Sequence, residues 1–323
     1  MKYLPLAVLG ASLAAPPLAA ARDAGAFPSH PITIVVPFAA GGSTDTLARS
    51  VAQKLGERLG TTVVVENKAG AAGAIGAQAV AAAAPDGHTL LVATTSTHSI
   101  LPALRKLSYD SDASFEPVIG LGTAPNVLVV SPTLPVANIA EFIRYAKQNP
   151  GKLSFSSSGA GTITHLIGEN FKLLAGIDAV HIPYKTGVQA VPDITSGRVS
   201  FAFDSVVWTL PQARQEKVKA LAITSAARSP LAPELPTLSE SGLSGFEGIT
   251  WFGIMAPKGV PAPVVGKLNT EINAILQDPA IRKQLEAQGA EPMGGAPGRL
   301  SALMRAEAEK WQSVIKAAKV TLE

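Results

Sequence analysis

Short β-branched runs alternate with longer segments of helical period along most of this chain, and that alternation narrows the folds open to it. Strands are expected at 32–36, 62–66, 88–93, 153–157, 179–183, 199–203 and 219–224. Helices are expected at 43–59, 72–84, 138–148, 162–175, 188–196 and 206–216. A strand, a helix and a further strand in succession make a parallel βαβ unit, because parallel neighbours need a crossover connection. The expected class is therefore α/β, with parallel sheets covered by helices on both faces. Two stretches break the pattern. Residues 115–131 carry two apolar runs, FEPVIGLG and NVLVVSP, with no helix-length segment between them. Residues 228–248 are rich in Pro, Ser and Gly and lead into ITWFGIM. Both read as crossings between two α/β lobes, one discontinuous (27–124 plus 250–323) and one continuous (125–249). The tail reads as helices at 263–276, 279–288 and 297–318, each with proline near its first turn, where a missing N–H costs no intrahelical bond.

The first residues have a different character. Met1-Lys2 is followed by an apolar run and then by small residues ending Ala19-Ala20-Ala21, the pattern of a secretory signal peptide over residues 1–21. No later segment reaches the roughly 18 unbroken apolar residues that a membrane span needs. The chain has no Cys, so disulfides, thiol chemistry and Cys-based metal sites are excluded. Export without Cys fits a bacterial periplasmic protein rather than a small disulfide scaffold. The net charge of +3 is slight, and its basic residues are scattered rather than gathered in a stripe with aromatics, which argues against nucleic-acid binding.

The chemistry of the chain concentrates where strands end. VPFAAGGSTD follows the 32–36 run and precedes a helix with Leu47, Val51, Leu55 and Leu59 at spacing near four. The first N–H groups of that helix are uncovered, and together with the positive end of the helix dipole they form an anion site. A second such turn, SSSGAGTITH, follows the 153–157 strand. Thr94-Thr95-Ser96-Thr97-His98 and Asp204-Ser205-Val206 are two more. In open α/β sheets ligands bind at the carboxyl ends of strands, so two facing lobes would bring all four turns around one cleft. No Lys or Arg falls between residues 31 and 48 or between 153 and 171, so backbone rather than side-chain cations would hold the anion in these two turns.

Several residues have a plainer reading. Asp45 sits in a first helical turn, where a carboxylate suits the dipole; its functional reading is a contact to a ligand ammonium group. His98 and His165 read equally as packed core histidines or as ligand contacts, and Asp204 as a cap or a ligand contact. His30, His88 and His181 lack metal-ligand spacing. The lone GxG at 159–161 and the absence of GxxxxGK[ST] argue against nucleotide phosphate. There is no GxSxG, no HExxH and no pair of carboxylates flanking a turn, so an enzyme reading would rest on a Ser43 or Ser158 dyad with His98 or His165. No cofactor and no metal are expected.

The segments PITIVVPFAAGGSTDTLAR, VVVENKAGAAGAIGAQAVAAAAPDGHTLL, FSSSGAGTITHLIGENF, AVHIPYKTGVQAVPDITSGRVSFAFDS and LPTLSESGLSGFEGITWFGIMAPKGVPAPVV, in this order, carry a resemblance over nearly the whole chain after residue 21. The chain resembles the extracytoplasmic solute receptors of tripartite tricarboxylate transporters, the Bug family. The resemblance implies a type II periplasmic-binding-protein fold whose two lobes close on a small carboxylate held by main-chain N–H groups and water. By matching position it implies a first turn of Phe38, Ala39, Gly41, Gly42, Ser43 and Asp45, and a facing turn of Ser158, Gly159, Gly161, Thr162 and His165. Thr95, Ser96, Tyr184, Gly187 and Asp204 complete the implied cleft. It further implies a periplasmic monomer that meets the transporter's membrane subunits transiently; an orphan receptor reporting to a sensor protein is the alternative. The chain departs from the family pattern at Ala69-Gly70 for Pro-Gly, at His88 for Tyr, and at Thr186, which is inserted before Gly187.

Overall fold

A computed structural model of the chain describes residues 27–322; the expected signal peptide lies outside them. The elements run β1 (Ile32–Val36), α1 (Ser43–Leu59), β2 (Val63–Asn67), α2 (Ala74–Ala81), β3 (Thr89–Thr94), α3 (Leu101–Leu104), β4 (Phe115–Val130) and α4 (Ile139–Gln148). They continue with β5 (Leu153–Ser157), α5 (Ile163–Ala175), β6 (Ala179–Pro183), α6 (Gly187–Thr195), β7 (Phe201–Ser205), α7 (Val206–Arg214) and β8 (Lys219–Ile223). The last are β9 (Ile249–Pro257), α8 (Ala262–Gln277), α9 (Pro279–Ala287), β10 (Glu291–Pro292) and α10 (Pro297–Ala318). No described helix is long and apolar enough to cross a membrane.

The strands form one sheet in the order β2-β1-β3-β9-β4-β7-β5-β6, with β8 and β10 pairing onto β4. Its flanks are parallel, as βαβ units require: β1 pairs β2 and β3, and β5 pairs β6 and β7. Its middle is antiparallel, which the alternation alone does not show. β9 runs antiparallel to both β3 and β4, and β4 antiparallel to β7 and β8. β4 and β9 are the two stretches that break the alternation, and they pair with each other over nine register positions. β4 changes partner along its length: Pro125 still opposes Ile249 of β9, whereas Asn126 opposes Ser205 of β7. One continuous strand thus serves both halves of the sheet.

Each half carries its own apolar filling. Leu47, Val51 and Leu55 of α1 are at most 2% exposed and belong to one cluster with Ile32, Ile34, Leu268 and Ile272. Phe142, Phe155, Phe171, Phe201 and Phe203 are fully buried in another, with ring centroids 5.2–6.3 Å apart in edge and offset geometries. Burying one such side chain contributes about 1.5–3 kcal/mol, so these clusters hold the strand ends rigidly in place. Trp311 and Ile315 belong to the second cluster, while Leu300 and Met304 of the same helix pack with Trp251 and Met255. α10 therefore reaches across both halves.

Candidate functional site

Helix starts set the site's character. α4 is capped by Asn138, which accepts from the Glu141 N–H, and α9 by Asp278, which accepts from the N–H groups of Ala280 and Ile281. α8 and α10 open with proline in the first turn. α1, α5 and α6 begin at Gly42, Thr162 and Thr186 with no side-chain cap and no proline there. All three open onto one cavity of about 400 Å³. An α-helix leaves its first N–H groups without intrahelical partners, so an uncapped start facing a cavity presents donors and the positive dipole end to whatever enters.

The cavity gathers residues from all four strand-end turns. Phe38, Ala39, Gly41, Gly42 and Ser43 line it from the β1–α1 turn, Ser96 from the segment after β3, Ser158 and Thr162 from the β5–α5 turn, Gly187 from the start of α6, and Asp204 from the end of β7. Gly41 has φ of +83°, a conformation in which other residues are strained, and its use turns the chain sharply enough to leave Gly42 at the helix start.

Other residues expected at the ligand lie behind this wall and brace it. Asp45 is 4% exposed. Its Oδ2 accepts from the Gly41 N–H at 3.0 Å and from Arg49 Nε at 3.0 Å, and its Oδ1 from Asn67 Nδ2 at 2.9 Å. Burial opposes its ionisation, but hydrogen bonds from Arg49, Gly41 and Asn67 outweigh that and hold its pKa below the usual carboxylate value. With its lone pairs spent on the turn, Asp45 is a brace rather than an ammonium contact. His165 accepts from the Gly161 N–H through Nδ1 at 3.2 Å and stacks on His181 at 3.9 Å between ring centroids. Burial, with His181 and Lys172 adding to it, pushes its pKa down to about 3, so it is a neutral ring. Thr95 ties to β9, its Oγ accepting from the Trp251 N–H at 2.9 Å. Gly159 and Gly161 shape the turn beneath the lining, and the Tyr184 hydroxyl donates to Asp193, away from the cavity. His98 is fully buried, its pKa lowered to about 3 by that burial, with Nδ1 on the Thr97 hydroxyl at 2.8 Å.

The two glycine turns are not equivalent, although in sequence they look like twins. In the β5–α5 turn most N–H groups, those of Ala160 and Thr164 excepted, are engaged within the protein: Ser158 donates to Thr164 Oγ at 2.9 Å, Gly159 to Ser157 Oγ at 3.1 Å, and Thr162 to the Gly159 carbonyl at 3.2 Å. The Ile163 N–H donates to Ser96 Oγ at 3.0 Å. In the β1–α1 turn only the Gly41 N–H is so engaged, and the N–H groups of Gly42, Ser43 and Thr44 have no hydrogen-bond partner among the described residues. The first turn offers a run of three backbone donors, and the second offers the Thr164 N–H with the hydroxyls of Ser158, Thr162 and Thr164.

Sequence reasoning missed Lys185, Trp208, Asn126 and Thr250, which also line the cavity. Lys185 reaches the cavity from the turn before α6, outside both glycine turns. Trp208, in the first turn of α7 just after Asp204 at the end of β7, donates its indole Nε1 to Asp204 Oδ1 at 3.0 Å. Elsewhere, ligand atoms of His30, Asp86 and His88 fall within 4.8 Å of one another, a grouping that spacing alone did not show. The Ser29 N–H donates to His88 Nε2 at 3.1 Å, which leaves the ring proton on Nδ1, 3.3 Å from Asp86. Although near that carboxylate, His88 Nδ1 is buried with no hydrogen-bond partner among the described residues; Asp86 Oδ1 accepts instead from the His88 backbone N–H at 2.9 Å.

Residues 47–320 match the family described as Tripartite tricarboxylate transporter family receptor. The chain belongs to that family. Among its relatives, protein BugT of Bordetella pertussis is 36% identical over 316 residues, covering 96% of this chain and 96% of BugT. Among solved structures, R. palustris Rpa4515 with adipate superposes with a TM-score of 0.88 at 36% identity, covering 91% of this chain and 99% of that one. MatC (Rpa3494) from Rhodopseudomonas palustris with bound malate gives 0.84 at 35% identity, covering 90% and 100%. This receptor thus has the mixed α/β fold of the periplasmic binding proteins, as the resemblance implied, and its family is one of solute receptors rather than enzymes.

Proposed function

We propose that this chain captures a small carboxylate outside the cytoplasm and delivers it to the membrane subunits of a tripartite tricarboxylate transporter. The observation that carries the reading is the unpartnered run of N–H groups at Gly42, Ser43 and Thr44, opening into the cavity at the start of the 17-residue helix α1. It is supported by relatives solved with adipate and with malate. Phe38, Ala39, Gly41, Gly42, Ser43, Ser96, Ser158, Thr162, Gly187 and Asp204 form the contact surface in this reading, with Asp45, Thr95, Gly159, Gly161, His165 and Tyr184 supporting it from behind. The lobes move as 27–124 plus 250–323 and 125–249, hinged where β4 changes partner. Export by the N-terminal segment, a monomeric state, transient contact with the transporter and the absence of catalysis belong to the same proposal.

A charge-assisted hydrogen bond contributes about 1.5–3 kcal/mol and a helix terminus about 0.3–2 kcal/mol. Four to six such contacts, after the cost of ordering ligand and lobes, reach about −8 kcal/mol, near micromolar affinity. Thermal shift against dicarboxylates, tricarboxylates, amino acids and aromatic acids tests this. A ligand at 100 times its dissociation constant stabilises the folded state by about 2.7 kcal/mol, raising the melting point by several degrees. A shift with sugars or cations but with no carboxylate would refute the reading.

A further inference from the structure

Asp204 is an acid inside a cavity whose other features attract anions. It is 7% exposed, at the end of β7. Its Oδ1 accepts from the Ser205 N–H at 2.7 Å and from Trp208 Nε1 at 3.0 Å. Its Oδ2 accepts only from Ser158 Oγ, at 3.2 Å. A carboxylate oxygen has two lone pairs, so Oδ2 keeps one open. That oxygen lies against the start of α6: a Cβ on Gly187 would stand 1.7 Å from it. The absence of that Cβ lets the carboxylate sit at the helix's positive end, where it offsets the dipole that would otherwise hold an anion.

We propose that Asp204 Oδ2 reads a hydrogen-bond donor on the ligand, so that the receptor selects carboxylates bearing a hydroxyl or ammonium group and admits a plain dicarboxylate only together with a proton. This rests on the carboxylate reading above and narrows its substrate class. The carboxylate end of the ligand lies on the N–H groups of Gly42, Ser43 and Thr44, and its second polar group meets Asp204. Two ionised carboxylates at that point would repel in a desolvated site, whereas a hydroxyl or ammonium hydrogen fills the open lone pair. When the ligand brings no donor, a proton taken from solvent sits between Oδ2 and the ligand's second carboxylate. Burial, only partly offset by hydrogen bonds from Ser205, Trp208 and Ser158, raises the Asp204 pKa to about 6, so that proton is within reach near neutrality. The facing elements add little to the charge balance. β4 contributes Asn126, β5 Ser158 and α7 Trp208, and Lys185 is the one other ionisable side chain lining the cavity among the described residues.

The test uses pairs of probes matched in length: succinate and malate, glutarate and glutamate, adipate and 2-aminoadipate. Titration calorimetry at pH 7.5 should give about tenfold tighter binding for the donor-bearing member of whichever pair fits the cavity. At pH 5.5 the plain member should gain affinity. At pH 7.5, where Asp204 is ionised in the free protein, titrations in buffers of different ionisation enthalpy should show uptake of one proton with the plain member and none with its donor-bearing partner. Asp204→Asn should erase both the preference and the proton uptake. Plain members that bind as tightly as their partners at pH 7.5 without proton uptake, in the unaltered protein, would overturn the proposal, as would an Asp204→Asn variant that keeps the preference. If no member of any pair binds at either pH while another carboxylate shifts the melting point, this inference is overturned alone; if no carboxylate does, the carboxylate reading fails and this inference falls with it.

Discussion

Gly42→Pro should weaken carboxylate binding by about ten- to hundredfold while the protein stays folded, and Gly42→Ala should bind almost as the unaltered chain does. The two substitutions differ in one respect that matters. Gly42 has φ of −80° and ψ of 171°, within the range of either residue, and a Cβ there meets only the Ala39 carbonyl oxygen at 3.7 Å. Proline removes the N–H; alanine keeps it. A charge-assisted hydrogen bond from a buried donor is worth about 1.5–3 kcal/mol, and each 1.4 kcal/mol is about tenfold in affinity. Calorimetric titration of both variants with one bound carboxylate reads the difference directly. Equal affinities would mean that the α1 donors do not hold the ligand.

Gly187→Ala should be the more damaging change. The added Cβ would lie 1.7 Å from Asp204 Oδ2 and 2.6 Å from Trp208 Cζ2, distances that no side-chain Cβ tolerates. The start of α6 must back away, or Asp204 must swing out and give up its bonds to Ser158 and Trp208. Overpacking of this kind costs about 1–3 kcal/mol of stability, and losing the positions of Asp204 and the α6 start together should abolish measurable binding. A melting curve and a ligand titration on the same preparation check it: a small drop in melting point with binding lost is the expected pair. Unchanged affinity would show that α6 and Asp204 stand clear of the ligand.

Much of this architecture was legible because the local signals agreed with one another. In α1 the spacing of Leu47, Val51 and Leu55, the two glycines before it and Gly60 after it all mark the same helix, and it spans Ser43–Leu59. β4 was less so. Gly120 and Gly122 interrupt its apolar run, yet both are strand positions where a Cβ would strike Met293 or the Glu291 carbonyl, so they read as a break until the partner is known. The segment after β3 carries hydroxyls like a loop but winds into a buried helical turn, Thr95–Ile100, closed by Thr94 and Thr97.

The site divides along the same line. Arg49 lies one helical turn from Asp45, a spacing visible in the sequence, whereas Asn67 reaches Asp45 from the end of β2, on a neighbouring strand. The contrast between the two glycine turns draws on both kinds: Ser158, Gly159, Gly161 and Thr162 donate to groups within six residues, and only Ile163 to a distant one. Ser96 takes the Ile163 N–H from 67 residues away, and His165 holds Gly161 in a stack with His181. Similar sequences at two strand ends therefore give one turn with a run of open donors and one with most of its donors spent.

That asymmetry is the core of the account, and amide NMR tests it most directly. With backbone amides assigned, titration with a carboxylate that binds should shift the Gly42, Ser43 and Thr44 N–H resonances strongly downfield, as new hydrogen bonds to an anion form. The Ser158, Gly159 and Thr162 amides should move little, because their partners lie within the protein. Saturable binding with the large shifts at Ser158, Gly159 and Thr162, and none at Gly42, Ser43 and Thr44, would contradict it.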